Sequence, residues 1–274
     1  MQIYPSLDDA FFLELKSIWE EGNVVNSRGS IQKELLFRNI KISDPTDLDI
    51  ASVERKFNSR YATLEFLWYL SRDPSVKNIG KVASLWKDVQ DPEGNVESNY
   101  GCYIFPNQWN FIIRELSNDI DSRRATIEIA KPEHKTKNLR DVPCAEYIHF
   151  FVRDNKLHLG SYMRSNDIIL GFCNDVFVFC LLQQMMFNEL RGFYPKLQLG
   201  NYFHHAGSLH LYERHYDMAR SILNKKNKNK RKFKLREDIT LDGIVTNSLY
   251  LPSREMSRED ILGFADKVVL FDQS

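Results

Sequence analysis

The sequence predicts an α+β fold. Two observations carry this expectation. Helical periodicity dominates the first third of the chain, while strand-like alternation dominates the second half. The two kinds also mix without the regular strand–helix alternation that builds a doubly wound sheet. No internal repeat is visible, so the 274 residues read as a single domain, 1–274.

Residues 6–21 form the first expected helix. Phe11, Leu15, Ile18 and Trp19 recur at helical spacing, Ser6 with Asp9 resembles a capping box, and Gly22 stops the run. A loop with Arg28 and Gly29 follows, then a mixed stretch to Pro45. Residues 52–71 read as helix, ending in the apolar run Leu64 to Leu70. Residues 87–99 are polar, with a turn at Pro92-Glu93-Gly94-Asn95. Ala145 to Arg153 and Lys156 to Met163, joined by Asp154-Asn155, read as a hairpin. Asn174 to Leu190 reads as a buried helix, Leu197 to Tyr212 as extended and Glu213 to Leu223 as helical. The basic, Asn-rich run 224–236 reads as a solvated surface loop.

Composition excludes several classes. Lys plus Arg equals Asp plus Glu at 37 each, so no global field drives the chain onto nucleic acid or a membrane. No apolar stretch approaches the roughly 20 residues of a spanning helix. The segment from Met1 to Leu15 carries Asp8, Asp9 and Glu14 and lacks the pattern of a signal peptide. Cys102, Cys144, Cys173 and Cys180 form no C-x-x-C pair, and the seven histidines offer no metal spacing. His204-His205 read as ordinary strand residues. Free thiols, no metal and a cytoplasmic location are the expectation.

Four clusters carry chemistry. Cys144 heads a strand; a cysteine is intrinsically nucleophilic but needs nearby positive charge to ionise near neutrality. By itself, a cysteine after a proline is more often a packed core residue. Arg164 and Ser165 open a polar connection, and a guanidinium with a hydroxyl suits phosphate. His210 and Tyr212 alternate on a strand and so share a face. Arg123-Arg124 suits a dianion, although an isolated pair is usually a surface charge.

These clusters, in this order, resemble the thymidylate synthase superfamily from about residue 6 to residue 220. The resemblance implies a thymidylate synthase-like catalytic domain with a large mixed sheet flanked by helices. It further implies a homodimer with sheets packed face to face, and 5,10-methylenetetrahydrofolate as cofactor. Cys144 matches the nucleophile that adds to carbon 6 of a pyrimidine nucleotide. Arg28, Arg164 and Ser165 match phosphate ligands, and Arg123 and Arg124 match the pair that reaches the partner's site. His210 and Tyr212 match ribose ligands, and Glu65 matches the glutamate that manages protons. Trp86 and Asp167 match folate-contacting positions; Tyr100, grouped with them, matches an active-site tyrosine.

Asp175 stands four residues after Gly171, where thymidylate synthases carry an asparagine. An asparagine amide pairs with uracil, whereas an ionised aspartate accepts from the exocyclic amine of cytosine. Asp175 and Gly171 are therefore the expected base contacts, and the expected substrate is dCMP. A one-residue slip onto Asn174 would restore the uracil reading. Ala145, Val89 and the tail Val268 to Ser274 also depart from thymidylate synthases. Together with Met163-Arg164-Ser165-Asn166-Asp167, they resemble the phage deoxycytidylate hydroxymethylases. That branch implies capture of water rather than hydride and a location in the host cytoplasm. A dCMP or dUMP methylase, a CMP hydroxymethylase and a nucleic-acid-binding protein using 224–236 remain open readings.

Overall fold

The computed structural model describes residues 1–225 and 231–273. The chain opens with strand β1 (Gln2–Tyr4) and helix α1 (Leu7–Glu21). The Ser6 hydroxyl accepts from the Asp9 amide at 3.2 Å and donates to the Asp9 carboxylate at 2.6 Å, so the expected cap is in place. Strands β2 (Asn23–Ser27) and β3 (Ser30–Ile42) make a hairpin. Its turn is Arg28-Gly29, with φ of 51° and 79°. Those values are the backbone of a type I′ turn, which leaves Arg28 exposed at the tip.

Helix α2 (Ser59–Ser71) starts later than the periodicity over 52–71 predicts. The Asn58 side chain caps it, accepting from the Tyr61 amide at 3.1 Å, and Lys56 takes a φ of 51° that no helix continues through. Next come α3 (Leu85–Val89), α4 (Gly101–Ile104), α5 (Asn107–Asn118), β4 (Thr126–Glu128) and α6 (Glu133–Thr136). The expected hairpin is β5 (Ala145–Arg153) and β6 (Lys156–Met163), closed by Asp154-Asn155 at positive φ. Then follow β7 (Asn166–Asp167), α7 (Gly171–Leu190), β8 (Gln198–Tyr212) and α8 (Tyr216–Asn224).

The basic run 224–236 differs from the expected loop. Residues 226–230 lie outside the described residues, but Arg231–Leu235 is strand β9. Phe233 is fully buried, edge-to-face on Phe177 at 5.1 Å. Basic residues here alternate with Phe233 and Leu235, the period-2 pattern of a half-buried strand, and the charge run hid that pattern. Helices α9 (Leu241–Asn247) and α10 (Arg258–Ala265) and strand β10 (Val269–Gln273) complete the chain, with β10 antiparallel to β9.

Eight strands build one sheet in the order β1-β3-β8-β6-β5-β4, with β2 added on β3 and β7 on β8. β8 runs antiparallel to β3 but parallel to β6 and β7, so the sheet is mixed. Helices α1 and α7 cover one face, and α2 packs on α7. Helix α7 is buried almost all round, and its two interior glutamines are spent on backbone. Gln183 donates to the Leu157 carbonyl at 2.9 Å. Gln184 donates to Pro45 and Phe233 at 3.1 Å and accepts from Leu235 at 2.8 Å, which ties β9 to the core. The sheet's other face is open. Tyr147, Tyr162 and His205 stack across three strands there, with ring centroids 5.7 Å and 4.6 Å apart.

Candidate active site

Cys144 precedes β5 at the point where the Arg164 amide donates to the Cys144 carbonyl at 2.9 Å. The Arg164 side chain folds back over the same turn. Its Nε donates to the Pro143 carbonyl at 3.0 Å and its Nη2 to the Val142 carbonyl at 2.9 Å. The same Nη2 lies 3.7 Å from the Cys144 sulfur. Asp141 fixes the approach to this turn by accepting from the Ser98 amide at 2.7 Å and the Ser98 hydroxyl at 2.8 Å. The Tyr100 hydroxyl accepts from the Ala145 amide at 3.3 Å. Burial pushes the Cys144 thiol up to about 11; Arg164 and Arg28 pull against this, while Asp175 and Asp141 add to it.

The segment Ser98 to Gly101 is locked onto the end of α2. Asn99 donates to the Trp68 and Asp73 carbonyls at 3.0 Å and 2.7 Å, and accepts from the Gly101 amide at 3.0 Å. A Cβ on Gly101 would sit 1.7 Å from the Tyr69 carbonyl oxygen, so only glycine fits. This contact brings Tyr100 and α2, with its Glu65, to the same cleft. Glu65 is buried, accepts from the Tyr69 hydroxyl at 3.3 Å, and has an Oε2 with no partner among the described residues. Burial, then the charge of Asp175, pushes its carboxyl up to about 8. The Trp86 indole N–H donates to the Tyr61 hydroxyl at 3.0 Å, one turn before Glu65.

Helix α7 separates the two candidate base contacts. Successive residues point about 100° apart around a helix, so Asp175 and Asn174 cannot face the same groups. It is Asp175 whose charge reaches Glu65, Cys144 and Tyr100. Its Oδ2 accepts from Asn166 Nδ2 at 2.7 Å. A Cβ on Gly171 would lie 3.0 Å from that Nδ2 and 3.2 Å from that Oδ2, so the glycine lets α7 start against this pair. Burial pushes Asp175 up to about 7, with the Asn166 bond lowering it and Asp167 raising it.

Asp167 pairs with His210 in the sheet and accepts from the Ile169 amide at 2.9 Å. His210 and Tyr212 meet edge-to-face at 4.9 Å on β8, as the alternation predicts. Burial lowers the His210 pKa, so the ring is neutral near pH 7. Arg28, Asp167, Cys144 and Arg214 all perturb Tyr212, which places these groups around one spot. Ser165 is half-buried on the same turn as Arg164. Within one chain Arg123 and Arg124 do not join this cluster. They are exposed, the Arg123 carbonyl lies 3.1 Å from His149 Nε2, and Arg124 pairs with Glu115 at 2.8 Å. His149 is five residues along β5 from Cys144, roughly 16 Å at strand rise.

Two groups escaped the sequence reading. Arg55 is buried with an Nε that has no partner among the described residues, and it sits near Cys173 and His215, which Asp167 also perturbs. No periodicity marks it. Asn166 and His204 form a buried contact behind Asp175 at 3.0 Å. Among the described residues no group of three metal-ligating side chains occurs, and no helix is long and apolar enough to cross a membrane.

Comparison with known proteins places the fold. The thymidylate synthase family pattern matches residues 10–252. The deoxycytidylate 5-hydroxymethyltransferase of Enterobacteria phage T6 is 30% identical over 170 residues, covering 58% of this chain and 69% of the relative. The thymidylate synthase of Bacillus mojavensis is 24% identical over 216 residues, covering 74% of this chain and 73% of the relative. The solved thermostable thymidylate synthase A from Bacillus subtilis superimposes with a TM-score of 0.72 at 21% identity, over 87% of this chain and 93% of that one. That superposition fixes the fold as thymidylate synthase-like, and with the family match over residues 10–252 it follows that the chain belongs to the thymidylate synthase family.

Proposed function

We propose that this chain is a deoxycytidylate 5-hydroxymethyltransferase, which converts dCMP and 5,10-methylenetetrahydrofolate to 5-hydroxymethyl-dCMP and tetrahydrofolate. The observation that carries the reading is Asp175, whose charge reaches Cys144 and Glu65 where uracil recognition would call for an amide. The names of the phage T6 and T4 relatives support it.

In this reading Cys144 adds to carbon 6 of the pyrimidine, and the electron pair passes to carbon 5. Arg164, against the sulfur, stabilises the thiolate as it forms. Its Nη1, free of the backbone, is left with Arg28 and Ser165 for the phosphate. His210 and Tyr212 take the ribose. Asp175 accepts from the exocyclic amine and favours protonation of the adjacent ring nitrogen, which eases attack at carbon 6. Glu65, held in its protonated form near pH 7 by burial, has a proton to give. Methylenetetrahydrofolate, when bound, supplies the one-carbon unit. Trp86, Asp167 and Tyr100 would hold it, and the unpartnered Glu65 Oε2 and Arg55 Nε leave polar groups for a cofactor to meet. In this reading water, rather than hydride, completes the product.

The open sheet face, with its stacked Tyr147, Tyr162 and His205, supports a homodimer packed sheet to sheet. Such a dimer would carry Arg123 and Arg124 to the partner's phosphate. The nucleic-acid reading loses ground, because Lys225, Arg231 and Lys232 pair with Glu54, Asp49 and Asp44.

The test is mass analysis of the products formed from dCMP, CMP and dUMP with methylenetetrahydrofolate, with dihydrofolate followed by absorbance. Hydroxymethyl-dCMP without dihydrofolate is the expected result. A methyl product with dihydrofolate would make the chain a methylase, and turnover of dUMP alone would overturn the Asp175 argument.

A further inference from the structure

Behind Asp175 runs a buried file of side chains that the expected chemistry does not use. Asn166 Nδ2 donates to Asp175 Oδ2 at 2.7 Å, and Asn166 Oδ1 lies 3.0 Å from His204 Nε2. His204 Nδ1 lies 2.9 Å from the Tyr202 hydroxyl and 3.3 Å from the Ser161 hydroxyl, which are 2.6 Å from each other. Asn166, His204, Ser161 and Tyr202 are all buried, and Phe172 closes edge-on over the His204 ring at 5.1 Å.

The file has a direction. Burial lowers the His204 pKa to about 3, so the ring is neutral and carries one N–H. With that hydrogen on Nε2, it donates to Asn166 Oδ1, and Nδ1 accepts from the Tyr202 hydroxyl, which in turn accepts from Ser161. The asparagine amide is then oriented, with its N–H pointing at Asp175. The alternative tautomer would turn the amide oxygen onto a carboxylate oxygen, which only a protonated Asp175 tolerates. The tautomer of His204 and the protonation of Asp175 are thus linked through one amide.

We propose that Asn166, oriented by His204, is a specificity-setting positioning residue that holds Asp175 as a hydrogen-bond acceptor, so that the site prefers an amino over an oxo group at carbon 4 of the pyrimidine. This rests on the assignment of Asp175 as the base contact. With Asn166 donating to one carboxylate oxygen, the anion is stabilised and the other oxygen meets the base without a proton. Without that donor the buried carboxyl keeps its proton and donates instead, which matches the carbonyl of uracil. Asp167 raises the Asp175 carboxyl, and the titratable groups within reach of the Asp175 charge are Glu65, Tyr61 and Tyr69 from α2, Tyr100, Cys144 and Tyr202. All are acids, so Asn166 is the donor that offsets them.

The experiment compares wild type, Asn166→Ala and His204→Phe by two readouts. The first is the Asp175 titration in the free protein, followed by carbon NMR with ¹³C-labelled aspartate and assigned with Asp175→Asn. Labelling aspartate alone keeps the neighbouring Glu65 silent. The second is the ratio of kcat/KM for dCMP over dUMP across pH. Loss of a hydrogen bond to a charged group predicts an upward shift of about one to two pH units, and a fall of about tenfold or more in the ratio. An unmoved Asp175 titration in Asn166→Ala overturns the proposal, and so does a moved titration with an unchanged ratio. His204→Gln, which retains an N–H donor, restores part of the ratio; equal loss in the Phe and Gln variants counts against orientation by His204. If wild type turns over no dCMP, the assigned function fails, while the titration still reports on the Asn166 link.

Discussion

The Arg164 guanidinium holds the Cys144 turn and faces its sulfur with the same nitrogen: Nη2 is 2.9 Å from the Val142 carbonyl and 3.7 Å from Cys144 Sγ. Position and charge at the thiol therefore depend on one group. A lysine cannot make both backbone bonds from two nitrogens.

Arg164→Lys should cost about 100-fold or more in kcat/KM, because it loosens the nucleophile as well as moving the charge. In the free protein the thiol ionises only near pH 11, since burial outweighs the arginines. Alkylation of Cys144 by iodoacetamide should thus be slow at neutral pH and rise steeply in alkali. Arg164→Ala removes a group that lowers the thiol pKa, so the rise should move to higher pH. Alkylation at an ordinary cysteine rate near pH 8 would contradict this.

Glu65→Gln separates stability from catalysis. The Glu65 carboxyl titrates at about 8 in the fold against an ordinary 4.5, so its charge is disfavoured by folding. Any stability this protonation confers is fully present below pH 4.5 and is lost as pH rises through 8. Chemical denaturation should find Glu65→Gln near wild type at pH 4.5 and more stable by a few kcal/mol, roughly, above pH 8. The same variant should lose about 10²- to 10⁴-fold in turnover if Glu65 moves a proton.

Asp175→Asn should move base choice toward uracil. The amide offers both a donor and an acceptor, so dUMP should gain and dCMP should lose in competition assays. Unaltered preference would place the base elsewhere.

Gly101→Ala tests the architecture directly. Its Cβ would overlap the Tyr69 carbonyl at 1.7 Å, so α2 and the Tyr100 loop must separate. Destabilisation of about 3 kcal/mol or more is expected, together with loss of activity even where the protein still folds.

The open face predicts a dimer by sedimentation, and Tyr147→Arg should shift it to monomer. Mixing Cys144→Ala with Arg124→Ala subunits should restore activity that neither has alone. Within one chain Arg124 is paired to Glu115, and its neighbour Arg123 meets His149, five residues along β5 from Cys144.

The candidate cluster was legible through the resemblance rather than piece by piece, because each part read alone has an ordinary structural explanation. Cys144 follows a proline at a strand head, and His210 and Tyr212 obey strand alternation. Asp175 and Asn174 are adjacent in sequence, and only the helix shows that they point about 100° apart, with the Asp175 charge reaching Glu65. Asn166 and His204 were hidden for a different reason. They are 38 residues apart in sequence and meet only because β7 and β8 lie side by side. Strand β9 was hidden by its charges: Arg231 and Lys232 look solvated until Asp49 and Asp44 are placed beside them.

The ladder between β3 and β8 joins residues 32–42 to residues 202–212. Such a pairing closes a very long loop before any contact rewards it, so it forms late in folding. On the ribosome, β3 waits with an unpaired edge until β8 has emerged, and Glu65 and Tyr100 are synthesised well before the helix and strands they serve. The cleft therefore stays incomplete until β8 has emerged. Premature termination anywhere before β8 leaves an aggregation-prone edge rather than a partial enzyme.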